Sequence, residues 1–184
     1  MKNISNYIVV LVLSLVLFSC TGGSPSLQEY FVDKNENPNF ISLDIPTSII
    51  GVDNTSLSDQ QKQAYESIKK LNVLAFRLNQ DNALEYEKEK QIISDILKDD
   101  QYQELMVINN GKHRGTIKYL GTDDAIDEVI VFGSSDDEGL ALIRVLGDDM
   151  KPENMITLVK ALEEGSIDVS GLEGQLEGIF DKNQ

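Results

Sequence analysis

Apolar and polar positions change their period several times along the chain, and each change marks an expected element. Ile8 to Phe18, IVVLVLSLVLF, is almost wholly apolar. The following residues, 20 to 38, are polar, broken only by Leu27, Tyr30 and Phe31, which reads as a tether ending in a short helical turn. Phe40 to Ile45 alternates apolar with polar and Pro46 stops it, as in a strand. Ser58-Asp59-Gln60-Gln61 has the form of a capping box, and after it Ala64, Tyr65, Ile68 and Leu71 share one helical face. Asn72 to Leu78 then reads as a strand. Asn82 with Glu85 forms a second expected capping box, opening a helix striped by Tyr86, Ile93, Ile96 and Leu97 that ends near Lys98. Asp99-Asp100 would cap a further turn running through Met106.

The second half reads as a meander. Val107-Ile108 and Thr116 to Leu120 flank Asn109-Asn110-Gly111, and Asn-Gly is the strongest short hairpin signal. Ile126 to Phe132 and Leu140 to Leu146 are the two most apolar strands, joined by a turn over Ser134 to Gly139. Pro152 falls in the first turn of a last clear helix, with Met155, Ile156, Val159 and Leu162 expected on its buried side. Four glycines between residues 165 and 184 weaken any helix there. A βαβα start followed by a meander predicts one α+β domain over residues 39–184. Its sheet would be mixed or mostly antiparallel, with helices mainly on one face.

The N-terminal apolar run is an address signal. Eleven helical residues reach about 16 Å, against about 30 Å for the hydrocarbon core of a bilayer. A positive start at Lys2, a short apolar run and then small residues form the layout of a secretory signal. The run stops at Leu17-Phe18-Ser19-Cys20, which resembles a bacterial lipobox; Phe18 departs from the smaller residue usual there. The resemblance implies cleavage after residue 19 and acylation of Cys20, with residues 20–38 as the tether. Two or more acyl chains hold stably where one holds weakly, so the expected partner is the lipid bilayer. Thr21 replaces the Asp that retains many such proteins at the inner membrane. The expected location is therefore the periplasmic side of the outer membrane.

Charge narrows the choices further. The 184 residues carry 16 Lys and Arg against 31 Asp and Glu, a formal net charge of −15. That balance argues against nucleic acid as a partner, since phosphates must be neutralised by cations. The single Cys excludes an internal disulfide framework and a Cys-cluster metal site. Nine acidic residues lie between Gly121 and Met150, where Arg144 is the only base, whereas Ser56 to Leu120 holds ten of each sign.

Little catalytic chemistry is visible. The one imidazole, His113, lies beside the expected hairpin turn between Lys112 and Arg114, and reads as an exposed turn residue. There is no Gly-x-Ser-x-Gly elbow and no phosphate loop. A meander would place Asp123 and Asp124 at the same end of the sheet as Asp148 and Asp149. These four form the candidate face for a basic partner or, alternatively, for calcium or a small cationic ligand. No EF-hand spacing is present, and turn-forming Asp accounts for most of the cluster. Arg144 shares its strand face with Leu140, Leu142 and Leu146. If that face is covered, Asp127 or Glu128 must pair with it; if it is open, the leucines form a docking patch. The reading favoured here is a sheet-edge Arg packing its stem on those leucines.

Ile41-Ser42-Leu43-Asp44-Ile45-Pro46, Leu71-Asn72-Val73-Leu74-Ala75-Phe76 and above all Ala125 to Met150 carry a family resemblance. Through them residues 27 to 160 resemble the small secreted domains catalogued as domain of unknown function 4252, found mainly in Bacteroidetes lipoproteins. The family has no established activity, so the resemblance carries over no functional residue, and no cofactor is expected. Some family members resemble products encoded beside extracytoplasmic-function sigma factors, which implies an envelope-sensing role. The expectation is thus a non-enzymatic, membrane-anchored envelope lipoprotein with a protein partner that presents a basic face.

Overall fold

The computed structural model describes residues 25–50, 57–122 and 124–164. Their elements run α1 (Leu27–Lys34), β1 (Phe40–Pro46), α2 (Thr47–Ile50), α3 (Asp59–Ser67), β2 (Ile68–Arg77), α4 (Ala83–Ile96), β3 (Gln103–Asn109), β4 (His113–Gly121), β5 (Ile126–Ser135), β6 (Gly139–Met150) and α5 (Pro152–Glu163). The six strands form one open sheet in the order β1-β2-β6-β5-β4-β3, and every neighbouring pair is antiparallel. The fold class is α+β. The signal segment with Cys20, the candidate Asp123 and the glycine-rich residues 165–184 lie outside the described residues.

Helices cover both faces of the sheet, which corrects the one-face expectation. On one face α1 and α4 bring Leu27, Tyr30, Phe31, Tyr86, Ile93 and Ile96 against Phe40, Leu74, Phe76, Ile130, Leu140 and Leu142. On the other, α3 and α5 bring Ala64, Met155, Leu158 and Ala161 against Ile117, Tyr119, Ile126, Val129 and Met150. The reason lies in β2, where Leu71 to Phe76 are buried without a break. A strand with two apolar faces requires cover on both.

Several boundaries also move. The helix after Ser58 keeps its capping box but stops at Ser67, so Ile68 and Leu71 belong to β2. There β2 is flanked by β1 and β6, and pairing on both edges outweighs the helical spacing of those two residues. Asn82 forms no capping bond; its side chain instead accepts from the Asn79 N–H and donates to the Arg77 carbonyl. The turn placed at residues 99–106 is shorter, because β3 already begins at Gln103. On α5 the buried positions are Asn154, Met155, Leu158 and Ala161, with Ile156 and Val159 half-buried.

The folded body starts before residue 39. Ser26 and Glu29 close a capping box, and α1 follows it in place of a tether through residue 38. Tyr30, Phe40 and Phe76 stack edge to face, with centroids 6.3 and 5.1 Å apart. The Tyr30 hydroxyl donates to Glu89 of α4 at 2.8 Å, and the Lys34 ammonium reaches the same carboxylate at 2.9 Å. Glu89 is 3 % exposed and fully partnered, so α1 is pinned to α4 by a buried clasp as well as by apolar packing.

Candidate binding cleft

Where α1 leaves the sheet, a cleft of about 440 Å³ opens over β1, β2 and β6. Its floor follows from strand register. Asp44 of β1 lies opposite Asn72 of β2, and Asn72 lies opposite Arg144 of β6. Side chains at register positions share a face, so the three form a polar row across the sheet. Lys70 and Leu146, opposite one another, make the next row. Phe31, Val32 and Gln28 of α1 form the wall.

Arg144 is 8 % exposed and lies on the third strand of six, not at an edge. The covered-face alternative is the one observed, and the sheet-edge reading is corrected. Its Nε and Nη2 donate to the two oxygens of Glu128 on β5, at 2.6 and 2.7 Å. Nη1 donates to Gln28 at 2.6 Å, and the guanidinium stands 5.2 Å from the Phe31 ring centroid. The fork geometry suits a carboxylate, and the two remaining N–H bonds of the guanidinium are uncommitted by these contacts. Asn72, 9 % exposed, donates through Nδ2 to Asp44. Asp44 and Lys70 are themselves exposed at the mouth.

The site therefore combines a buried, paired guanidinium with amide and carboxylate groups and one exposed ammonium. That set can orient a polar ligand or a partner's side chains through hydrogen bonds. One signal for it was present in the sequence: Asn72 and Arg144 are the polar residues set within the otherwise apolar strands LNVLAF and LALIRVL.

The acidic residues lie elsewhere. Ile126 pairs with Met150, which brings Asp124 and the Asp148-Asp149 pair to the same end of the sheet. Asp148 is ion-paired with Lys69 of β2, and Asp149 adopts a left-handed φ of 50° within an irregular stretch where Gly147 to Asp149 oppose Asp127. Among the described residues no three His, Cys, Asp or Glu side chains gather as a metal cage. His113 is exposed at the start of β4, and its backbone N–H donates to Asn110 Oδ1 at 3.1 Å. It borders an apolar depression of about 270 Å³ together with Ser135 and Glu138. Ser135 Oγ accepts from the Asp137 N–H rather than from the imidazole.

A family model, domain of unknown function (DUF4252), matches residues 30–158. The chain belongs to this family. The matched span of the DUF4252 domain includes all six strands and every strand residue of the polar row. It also begins inside α1, in agreement with a body that starts before residue 39. No curated protein and no solved structure gives a match. Among the described residues no helix is long and apolar enough to cross a membrane.

Proposed function

We propose that this DUF4252 protein is a non-enzymatic recognition module, acylated at Cys20 and held to a bacterial envelope membrane. The cleft under α1 is then its contact site for an envelope protein or a polar ligand. The observation that carries the recognition reading is the Arg144–Glu128 pair beside an open cleft. Burying two charges costs several kcal/mol that an apolar pair of similar volume would not, so the pair is explained better by recognition than by stability. The sequence Leu17-Phe18-Ser19-Cys20 supports the anchor. Six residues lie between Cys20 and Leu27, and those seven steps reach at most about 25 Å, so α1 and the cleft would stand close to the bilayer surface. The periplasmic leaflet of the outer membrane is the location that Thr21 favours.

A photo-crosslinking residue at position 70, in the mouth of the cleft, tests the reading in native envelopes. Position 84, where Leu84 is 90 % exposed on α4, serves as the control. A discrete adduct at 70 that is absent at 84 supports the cleft. The same adducts at both positions, or none at 70, would refute it.

A further inference from the structure

On the same sheet face as the polar cleft, but beyond α4, lies a second groove of about 500 Å³ between α4 and strand β4. In a chain with nearly twice as many acids as bases, its lining contains Lys90, Lys98, Arg114 and Lys118 but only one carboxylate, Glu104. The four cations fall into two pairs. Lys90 and Arg114 converge on a single carboxylate, Asp136, at 3.8 and 3.2 Å. Lys118 donates to the carbonyl of Leu97, the residue before Lys98 in the chain, at 2.6 Å and to that of Tyr102 at 3.1 Å, and Lys98 lines the same groove.

The spacing of the pairs is fixed by the elements that carry them. Lys90 and Lys98 are eight residues apart on one helix-and-cap segment, or about 12 Å. Arg114 and Lys118 are four residues apart on β4, or about 13 Å. Leu97, Thr116 and Phe132 also line the groove, and Val107 stands 61 % exposed on the outer strand opposite Thr116.

We propose that this groove binds an extended acidic segment of a partner protein, with carboxylates four residues apart seated between the two cation pairs. An extended chain advances about 13 Å over four residues, which matches the separation of the pairs. Asp136 already shows that Lys90 and Arg114 grip a carboxylate between them. The acids that now hold these cations are Glu87 on Lys90, Asp95 on Lys98 and Asp136. All three are exposed, and exposed pairs contribute little, so a ligand can exchange with them.

The test is fluorescence polarisation with the full chain in detergent and a labelled twelve-residue Ser/Gly peptide carrying Glu at every fourth position. Binding is expected at low salt, weakening with added salt, and absent when the Glu residues are replaced by Gln. The Lys98→Gln/Arg114→Gln variant changes two exposed side chains and is expected to weaken binding at least tenfold. Lys69→Gln, at the other end of the sheet, is expected to leave it unchanged. No binding, equal binding by the double variant, or equal binding of a single-stranded DNA dodecamer would overturn the proposal.

Discussion

The guanidinium of Arg144 holds both carboxylate oxygens of Glu128 across the β5–β6 pair, at 2.6 and 2.7 Å, with both residues less than a tenth exposed. A half-pair left in that position is an uncompensated buried charge. Arg144→Met or Glu128→Leu alone is expected to cost about 3–5 kcal/mol. The double variant Arg144→Met/Glu128→Leu is expected to recover most of that loss or to exceed the native stability. Urea unfolding of the four proteins measures the cycle. Additive losses would show that the pair is not coupled as the geometry requires.

The Glu89 clasp makes a signed pH prediction. Burial raises the Tyr30 phenol far above the ordinary tyrosine value, and its bond to Glu89 adds to the shift. At Lys34 burial acts downward, but Glu89 and Asp33 outweigh it and hold the ammonium above its usual value. Both groups keep their protons more tightly when folded. Their stabilisation is therefore full below their ordinary values, near pH 10, and is lost as pH rises through the folded ones. The urea midpoint is expected to fall above about pH 10, and to fall less steeply in Tyr30→Phe. At neutral pH that variant is expected to lose about 1–2 kcal/mol, because Glu89 loses a donor.

Truncation tests where the body begins. Removing residues 1–24 is expected to leave the melting temperature unchanged. Removing residues 1–38 deletes Leu27, Tyr30 and Phe31 and uncovers Phe40 and Phe76. At about 1.5–3 kcal/mol per buried side chain, that loss is about 5 kcal/mol or more. A longer deletion that melts like the shorter one would place α1 outside the cooperative unit.

Two glycines with positive φ separate strain from space. Gly139, at φ 134°, starts β6 where an added Cβ would strike the Phe76 carbonyl and lie 2.9 Å from the Leu78 nitrogen. Gly111, at φ 90°, has open space around it. Gly111→Ala is expected to cost about 1–2 kcal/mol through backbone strain alone. Gly139→Ala is expected to cost clearly more, since backbone must also move. Chemical denaturation of the two variants ranks them.

What was legible in the sequence depended on how local its cause was. The turn of the β3–β4 hairpin, the Ser58 capping box and the apolar strands β5 and β6 are set by neighbouring residues and each is present, although β3 starts earlier, at Gln103, than the pattern places it. The end of α3 was not legible, because Ile68 and Leu71 fit a helix face and a strand equally well and only pairing on both edges decides between them. The covering of both sheet faces was signalled by the unbroken run Leu71–Phe76, but the number of layers is a tertiary property. Arg144 carried a partial signal: a charge in an apolar strand must be paired if covered, and Glu128 was one of two neighbours able to do it. Its place on a central strand depended on β2 crossing to pair with β6, a contact between residues about 70 positions apart. The polar row with Asp44 and Asn72 follows from that same crossing.

The proposed anchoring depends on the N-terminal residues that lead into α1. The most direct measurement is the mass of the N-terminal proteolytic peptide of the protein isolated from its native membrane. The expected result is a peptide that begins at Cys20, bears a thioether-linked diacylglyceryl group and an N-acyl chain, and is lost in Cys20→Ala. A peptide with a free thiol at Cys20, from protein that stays in the soluble fraction without detergent, would contradict the anchored module.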